Sequence, residues 1–214
     1  GKIVFAILAR RLTSFLTDNA YTDISIQKEG IPGFSSCLKH TSAITLLIRE
    51  TKDAKKGIAE VWLDLANAYG SIPHQLIYTA LQHYRKIITS YLDGIKLRFS
   101  VGDKMTNRQK LEKRIVTGWT VSAVRSTMGM NLLINSAKRE TRGPRTQSGI
   151  YLPSSTGFID DLILTTSSHI QARWMLTALT VVATWARMKF KPAKSRPLVI
   201  KKGKTTEKVQ TPHT

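Results

Sequence analysis

Acidic residues are scarce in this chain of 214 residues: 14 Asp and Glu stand against 33 Lys and Arg, a formal charge of +19. A surface with that excess either meets a polyanion or repels itself, so nucleic acid is the leading class of partner and an anionic membrane surface its rival. Cysteine is nearly absent. The one thiol, Cys37, excludes an internal disulfide and a multi-cysteine zinc site and lends no support to secretion. No apolar stretch reaches the ~18 uncharged residues of a bilayer span, and the start, with Lys2, Arg10 and Arg11, lacks a cleavable signal pattern. The expected setting is therefore intracellular, in cytoplasm or nucleus, with no membrane partner. The five histidines show no metal-ligand spacing, so zinc chemistry is unsupported. What is present is 42% hydrophobic residues, distributed in blocks along most of the chain. That excludes disorder throughout and permits one packed domain of roughly 100 to 200 residues with a partial second lobe.

Val4, Leu8, Leu12 and Phe15 recur at helical spacing and predict a helix over residues 2–18, which Asp18 and Asn19 break. After a loop with Gly30, Pro32 and Gly33, Ser35 or Ser36 can cap a second helix reaching about Lys52, with Leu38, Ile44, Leu47 and Ile48 inward. Residues 58–65 are a short apolar run with Asp64 near its end, which suits a buried strand. Pro73 starts a helix to about Tyr91, and residues 95–101 alternate Ile95, Leu97, Phe99 and Val101 against polar neighbours, a strand. A helix is expected from Thr120 to Arg139 and a loop over residues 141–157. Phe158 to Leu164 then reads as a hairpin with two acids at its tip. A long helix from about Ser168 to Phe190, a strand at Leu198 to Ile200 and a frayed polar tail complete the chain. Trp62, Trp174 and Trp185 fall in apolar stretches and are assigned to the core. This irregular alternation with antiparallel hairpins predicts an α+β fold rather than a doubly wound parallel sheet.

The carboxylates carry the chemistry. Between Lys113 and Thr206 the only acids are Glu140, Asp160 and Asp161, and the adjacent pair is flanked by Phe158, Ile159, Leu162 and Ile163. Neighbouring carboxylates in apolar surroundings repel unless a cation joins them, and a hard divalent ion with oxygen ligands, Mg²⁺ or Mn²⁺, is the natural one. If the strand ending in Asp64 lies beside that hairpin, three carboxylates converge on a sheet edge in basic surroundings, as two-metal phosphoryl transfer requires.

Leu63-Asp64-Leu65-Ala66-Asn67-Ala68-Tyr69-Gly70-Ser71-Ile72-Pro73-His74 and Phe158-Ile159-Asp160-Asp161 resemble the first and third palm motifs of reverse transcriptases. The words around them resemble the non-LTR retrotransposon type: Gln27-Lys28 with Gly30 to Gly33, Val116-Thr117-Gly118, Met128-Gly129-Met130-Asn131, Arg142-Gly143-Pro144, and Trp185 to Met188 before Lys191 to Arg196. The resemblance runs from about Gly1 to Lys204. It implies a right-hand polymerase palm, a small antiparallel sheet on helices, that extends a DNA primer on an RNA template with deoxynucleoside triphosphates. Residues 1–57 would be helical partial fingers leading into the palm, residues 58–204 the palm core and residues 205–214 a frayed tail, with the thumb absent and other polyprotein domains needed. It implies Asp64, Asp160 and Asp161 as catalytic metal ligands. Tyr69 takes the place of the steric gate against a ribose 2′-hydroxyl, Gly118 and Ser122 lie under the template base and incoming nucleotide, and Lys194 stands near the triphosphate.

The chain departs from the family pattern at Arg114, where a glycine is usual, at Trp119, where a small residue is usual, and at Arg125, on the stripe of Val121, Met128 and Leu132 that the family keeps apolar. Three readings stay open: a reverse transcriptase fragment, active or inactive alone; a degenerate palm that binds RNA or hybrid duplex without turnover; and a metal-dependent nuclease using the same acids, for which no fourth acid or histidine pattern is found.

Overall fold

The computed structural model describes residues 2–20, 22–23, 25–27, 36–66, 96–98, 100–110, 120–158 and 161–206. Helix α1 (Lys2–Asp18) and helix α2 (Ser36–Asp53) precede strand β1 (Ile58–Asp64). Short strands β2 (Lys96–Leu97), β3 (Ser100–Val101), β4 (Lys104–Met105) and β5 (Gln109–Lys110) follow, then helix α3 (Thr120–Lys138). Strands β6 (Ser155–Phe158) and β7 (Asp161–Thr166), helix α4 (His169–Trp185) and strands β8 (Arg196–Lys201) and β9 (Lys204–Thr206) complete the order. The main sheet is antiparallel throughout, in the order β6-β7-β1-β8-β9. The α+β expectation holds. The helix expected from Pro73 to Tyr91 lies outside the described residues.

Pleating divides β1 between two environments. Ala59, Val61, Leu63 and Leu65 join Leu162 and Leu164 of β7 in the main core. Helices cover that face with Ala9, Leu12 and Leu16 of α1, Leu133 and Ile134 of α3, and Met175 and Leu179 of α4. On the other face Ile58 and Ile200 pack against Leu47 of α2. Gly157 marks the tightest approach in the sheet's edge. A Cβ there would meet Ile134 Cδ1 and Gln27 Oε1, so any larger residue would have to push both side-chain ends aside.

Four expectations need correcting. Helix α4 stops at Trp185, five residues before Phe190. Its end is a Schellman motif in which Met188 N–H donates to Ala183 O and Arg187 N–H to Thr184 O, with Arg187 left-handed at φ 54. The strand expected over residues 95–101 is broken, because Leu97 pairs with Gln109 but Ser100 with Met105, so the return arm carries one extra residue, a bulge. Val101, the last residue of that run, is 78% exposed. Trp174 and Trp185 are 54% and 63% exposed rather than buried. They share the outer face of α4 with Ile170 and Val181, opposite the buried row of Ala172, Met175, Leu179 and Ala183. Finally, pairing continues past Lys201: Lys202 (φ 49) and Gly203 (φ 75) form the two-residue turn that twisted hairpins favour and bring β9 back along β8 as far as Thr206.

Candidate active site

Register brings the acids together. Asp64, the last residue of β1, is the cross-strand partner of Asp161, the first residue of β7. Directly paired residues of an antiparallel ladder point to the same face with Cβ atoms about 4.5–5.5 Å apart. Phe158 pairs with Asp161 from the far side, so Asp161 is a paired strand residue. Asp160 itself lies outside the described residues, as do Tyr69, Gly118, Arg114 and Trp119. Ser122 and Arg125 belong to α3, where Leu132, on the stripe expected to be apolar and inward, is exposed.

A segment that sequence reasoning did not assign to the site frames Asp64. Beyond α4 the chain returns along the end of β1: Leu65 bridges Phe190, Ala66 N–H donates to Lys189 O, and Lys191 N–H donates to Asp64 O at 2.8 Å. That pairing sets Lys191 Nζ 2.8 Å from Asp64 Oδ1. A tight turn follows, in which Lys194 N–H and the Ser195 hydroxyl donate to Lys191 O. It leaves Lys194 Nζ 3.6 Å from Asp64 Oδ2, with its side chain 65% exposed. The Lys191 hydrogen bond, opposed by partial burial and aided by the charge of both lysines, holds the Asp64 carboxyl below the usual carboxylate range. Asp64 is ionised at neutral pH. Lys194, chosen from the sequence, thus reaches Asp64; Lys191, three residues earlier in the same basic run, is the closer cation, and only the strand pairing distinguishes it.

A cavity of about 510 Å³ opens over these groups. The acids and Lys194 form one side, and Trp62, Phe158 and Ile163 give it an apolar floor on the same sheet face. His40 and Thr41, from the first turns of α2, close it opposite, with His40 Nε2 2.8 Å from Thr156 Oγ1. Arg196, Trp62's partner on β8, adds a further cation at the rim. Such a volume, apolar with a few convergent charges, suits a ligand of nucleotide size. Helix α2 carried no sequence signal for this role, because nothing local marks a histidine as facing a distant strand.

Glu60 is the other acid on this face, and sequence reasoning passed over it. It is fully buried in mid-strand between Thr165 and Leu198, neither carboxyl oxygen has a hydrogen-bond partner, and burial raises its pKa to about 8. Among the described residues no three acids, histidines or cysteines gather as a metal cluster. The donors that do meet, two carboxylates on facing strands with Asp64 held ionised, are of the hard-oxygen kind that suits Mg²⁺ or Mn²⁺. No helix of the described residues is long and apolar enough to cross a membrane.

Over residues 1–210 the sequence matches the family model described as reverse transcriptase (RNA-dependent DNA polymerase). A search of curated proteins gave no match. Among solved structures, the apo telomerase of Candida tropicalis, truncated from its C-terminal domain, is similar with a TM-score of 0.60 at 8% identity. That likeness covers 91% of this chain and 40% of the telomerase chain, so this chain spans less than half of its length, and the likeness is one of fold.

Proposed function

Because the chain belongs to the reverse transcriptase family, we propose that it carries the nucleotide-adding site of an RNA-directed DNA polymerase of the non-LTR retrotransposon type. The observation that carries the reading is the pairing of Asp64 with Asp161 at the mouth of the cavity, with Lys191 and Lys194 beside Asp64. Asp64, Asp160 and Asp161 would hold two divalent ions, Mg²⁺ or Mn²⁺, which when bound stabilise the charge on attacking and leaving oxygens. In the reaction a primer 3′-oxygen bonds to the α-phosphorus of a deoxynucleoside triphosphate while the bond from that phosphorus to pyrophosphate breaks.

The chain's own residues supply position and charge. Lys194, exposed at the rim, is free to turn toward a triphosphate and neutralise the departing pyrophosphate. The apolar floor of Trp62, Phe158 and Ile163 takes the flat face of a base or sugar and excludes water. Tyr69 acts as the gate against a 2′-hydroxyl, and Gly118 and Ser122 support the template base. The template is RNA, the primer DNA, and the palm-like unit works with further domains in the cytoplasm or nucleus.

The test is primer extension on a primed RNA template with deoxynucleotides and Mg²⁺ or Mn²⁺, comparing the chain with an Asp160→Asn, Asp161→Asn double variant. Extension by the first alone supports polymerase chemistry at this site. Cleavage without extension supports the nuclease. A second reading, a degenerate palm that binds RNA or RNA–DNA duplex without turnover, draws on Arg114, Trp119 and Arg125, which add bulk and charge where the family pattern is small or apolar. Binding of the primed template with no extension by a folded chain would select it.

A further inference from the structure

Far from the carboxylates, the opposite end of β1 gathers lysines from two segments more than 140 residues apart in sequence. Helix α2 ends in a Schellman motif, Lys56 N–H donating to Thr51 O and Lys55 N–H to Lys52 O, with Lys55 left-handed at φ 51. The tip of the β8–β9 hairpin docks on that helix end through its backbone. Gly203 N–H donates to Lys56 O at 3.0 Å, and a Cβ on Gly203 would stand 2.7 Å from Lys52 O and 3.2 Å from the Lys55 Cα. Glycine at this one position therefore lets Lys201, Lys202 and Lys204 lie against Lys52, Lys55 and Lys56.

All six lysines are exposed. Two acids share the end of α2 with them, Asp53 and Glu50, the latter accepting a hydrogen bond from Gln147 N–H, so two charges stand against six. The ion pairs of the described residues lie elsewhere, at Asp23 and Asp64. Six ammonium groups against two carboxylates leave an excess of positive charge, a site for a polyanion. The rise of the strand puts the cluster about 20 Å from Asp64, beyond the reach of a nucleotide bound there.

We propose that Lys52, Lys55, Lys56, Lys201, Lys202 and Lys204 form a second polynucleotide-binding site that grips the phosphate backbone away from the carboxylate site. The choice of a polynucleotide over an anionic membrane rests on the polymerase reading. The lysines recognise phosphodiesters without reading bases, so the site holds a template or its flanking structure in place rather than selecting sequence.

The test replaces Lys52, Lys56, Lys201 and Lys204 by Gln, leaving the left-handed Lys55 and Lys202 untouched, and checks the fold by circular dichroism. A companion variant carries Arg at the same four positions. Binding to an RNA hairpin, to a DNA duplex of equal length and to phosphatidylserine vesicles is measured across a salt series. The Gln variant is expected to bind nucleic acid at least tenfold more weakly near 0.1 M salt, with the slope of log K against log salt reduced by about 3. The Arg variant keeps the slope, and the hairpin-to-duplex comparison names the preferred polynucleotide. An unchanged slope in the Gln variant, no nucleic-acid binding by the parent chain, or tighter lysine-dependent binding to vesicles than to either nucleic acid overturns the proposal. Asp64→Asn separates it from the polymerase reading, since that change removes extension and leaves the lysine-dependent slope intact. A parent chain that never extends a primer but shows the slope retains this site and loses that reading.

Discussion

Two carboxylic acids four residues apart share one face of β1 and have opposite fates. Glu60 is fully buried between the neighbouring strands with no hydrogen-bond partner, and burial lifts its pKa to about 8. Asp64 stands where the same face opens into the cavity, and Lys191 draws its pKa down. The strand provides the same backbone to both; what separates them is that one position is closed to solvent and the other opens into the cavity, where a returning loop brings cations to it. Only the second arrangement leaves an ionised oxygen donor available to a metal ion and a phosphate chain.

The contrast makes the two acids respond to pH with opposite signs. Glu60 has a folded pKa above its unfolded value, so the native state binds the extra proton between about pH 4.5 and pH 8. Stability should fall across that window, by about 1.4 kcal/mol per pH unit at its steepest, and level off above it. Urea unfolding of the parent and Glu60→Gln from acid to mildly alkaline pH measures this effect, the largest of the three. A flattened profile in the variant sustains the contrast; an unchanged one would show that Glu60 is ionised in the native state.

Asp64 lies on the other side of the comparison. Its folded pKa is depressed, so its contribution is present above the ordinary carboxylate pKa and is lost as pH falls through the lowered value. Lys191→Met should cost about 1 kcal/mol at neutral pH and nothing in acid, the pair being partly exposed and screened by solvent. Lys194→Met, at the longer distance and with a more exposed side chain, should cost less. The same unfolding titrations, run with added salt, check both.

The smallest effect is expected at a third acid. Burial acts to raise the Asp23 pKa, but hydrogen bonds from Lys138, at 2.6 Å, and Ser25 outweigh it, so the carboxyl lies below its usual range. Asp23 resembles Asp64 in its cation partner but is not among the residues that line the cavity. Lys138→Met should lower stability by roughly 0.5 kcal/mol and leave primer extension unchanged. A large loss of extension there would show that a lysine–carboxylate pair alone does not mark the site.

The elements with strong periodic patterns were legible in the sequence. Helices α1, α2 and α3 begin and end within a residue or two of where the apolar spacing and the serine cap place them, and β1 lies where its apolar run predicts. The pairing of Asp64 with Asp161 was legible as a condition, that the two strands be neighbours, which the sheet order satisfies. Three features were not legible, each because it depends on distant partners. Helix α4 ends in a Schellman motif on Arg187, where no glycine announces the stop. Its two tryptophans look apolar in one dimension and face outward once Met175 and Leu179 have taken the core side. Glu60 reads as an ordinary strand acid until the burial of both faces of β1 is known.

The most direct test is to run the parent chain, Asp64→Asn and Glu60→Gln side by side in extension of a DNA primer on an RNA template with Mg²⁺ or Mn²⁺. The account predicts extension by the parent and by Glu60→Gln, with a loss of roughly 10³-fold or more in Asp64→Asn, about 4 kcal/mol of barrier. Extension that survives Asp64→Asn, or that disappears only in Glu60→Gln, would contradict the assignment of the chemistry to the open end of the strand.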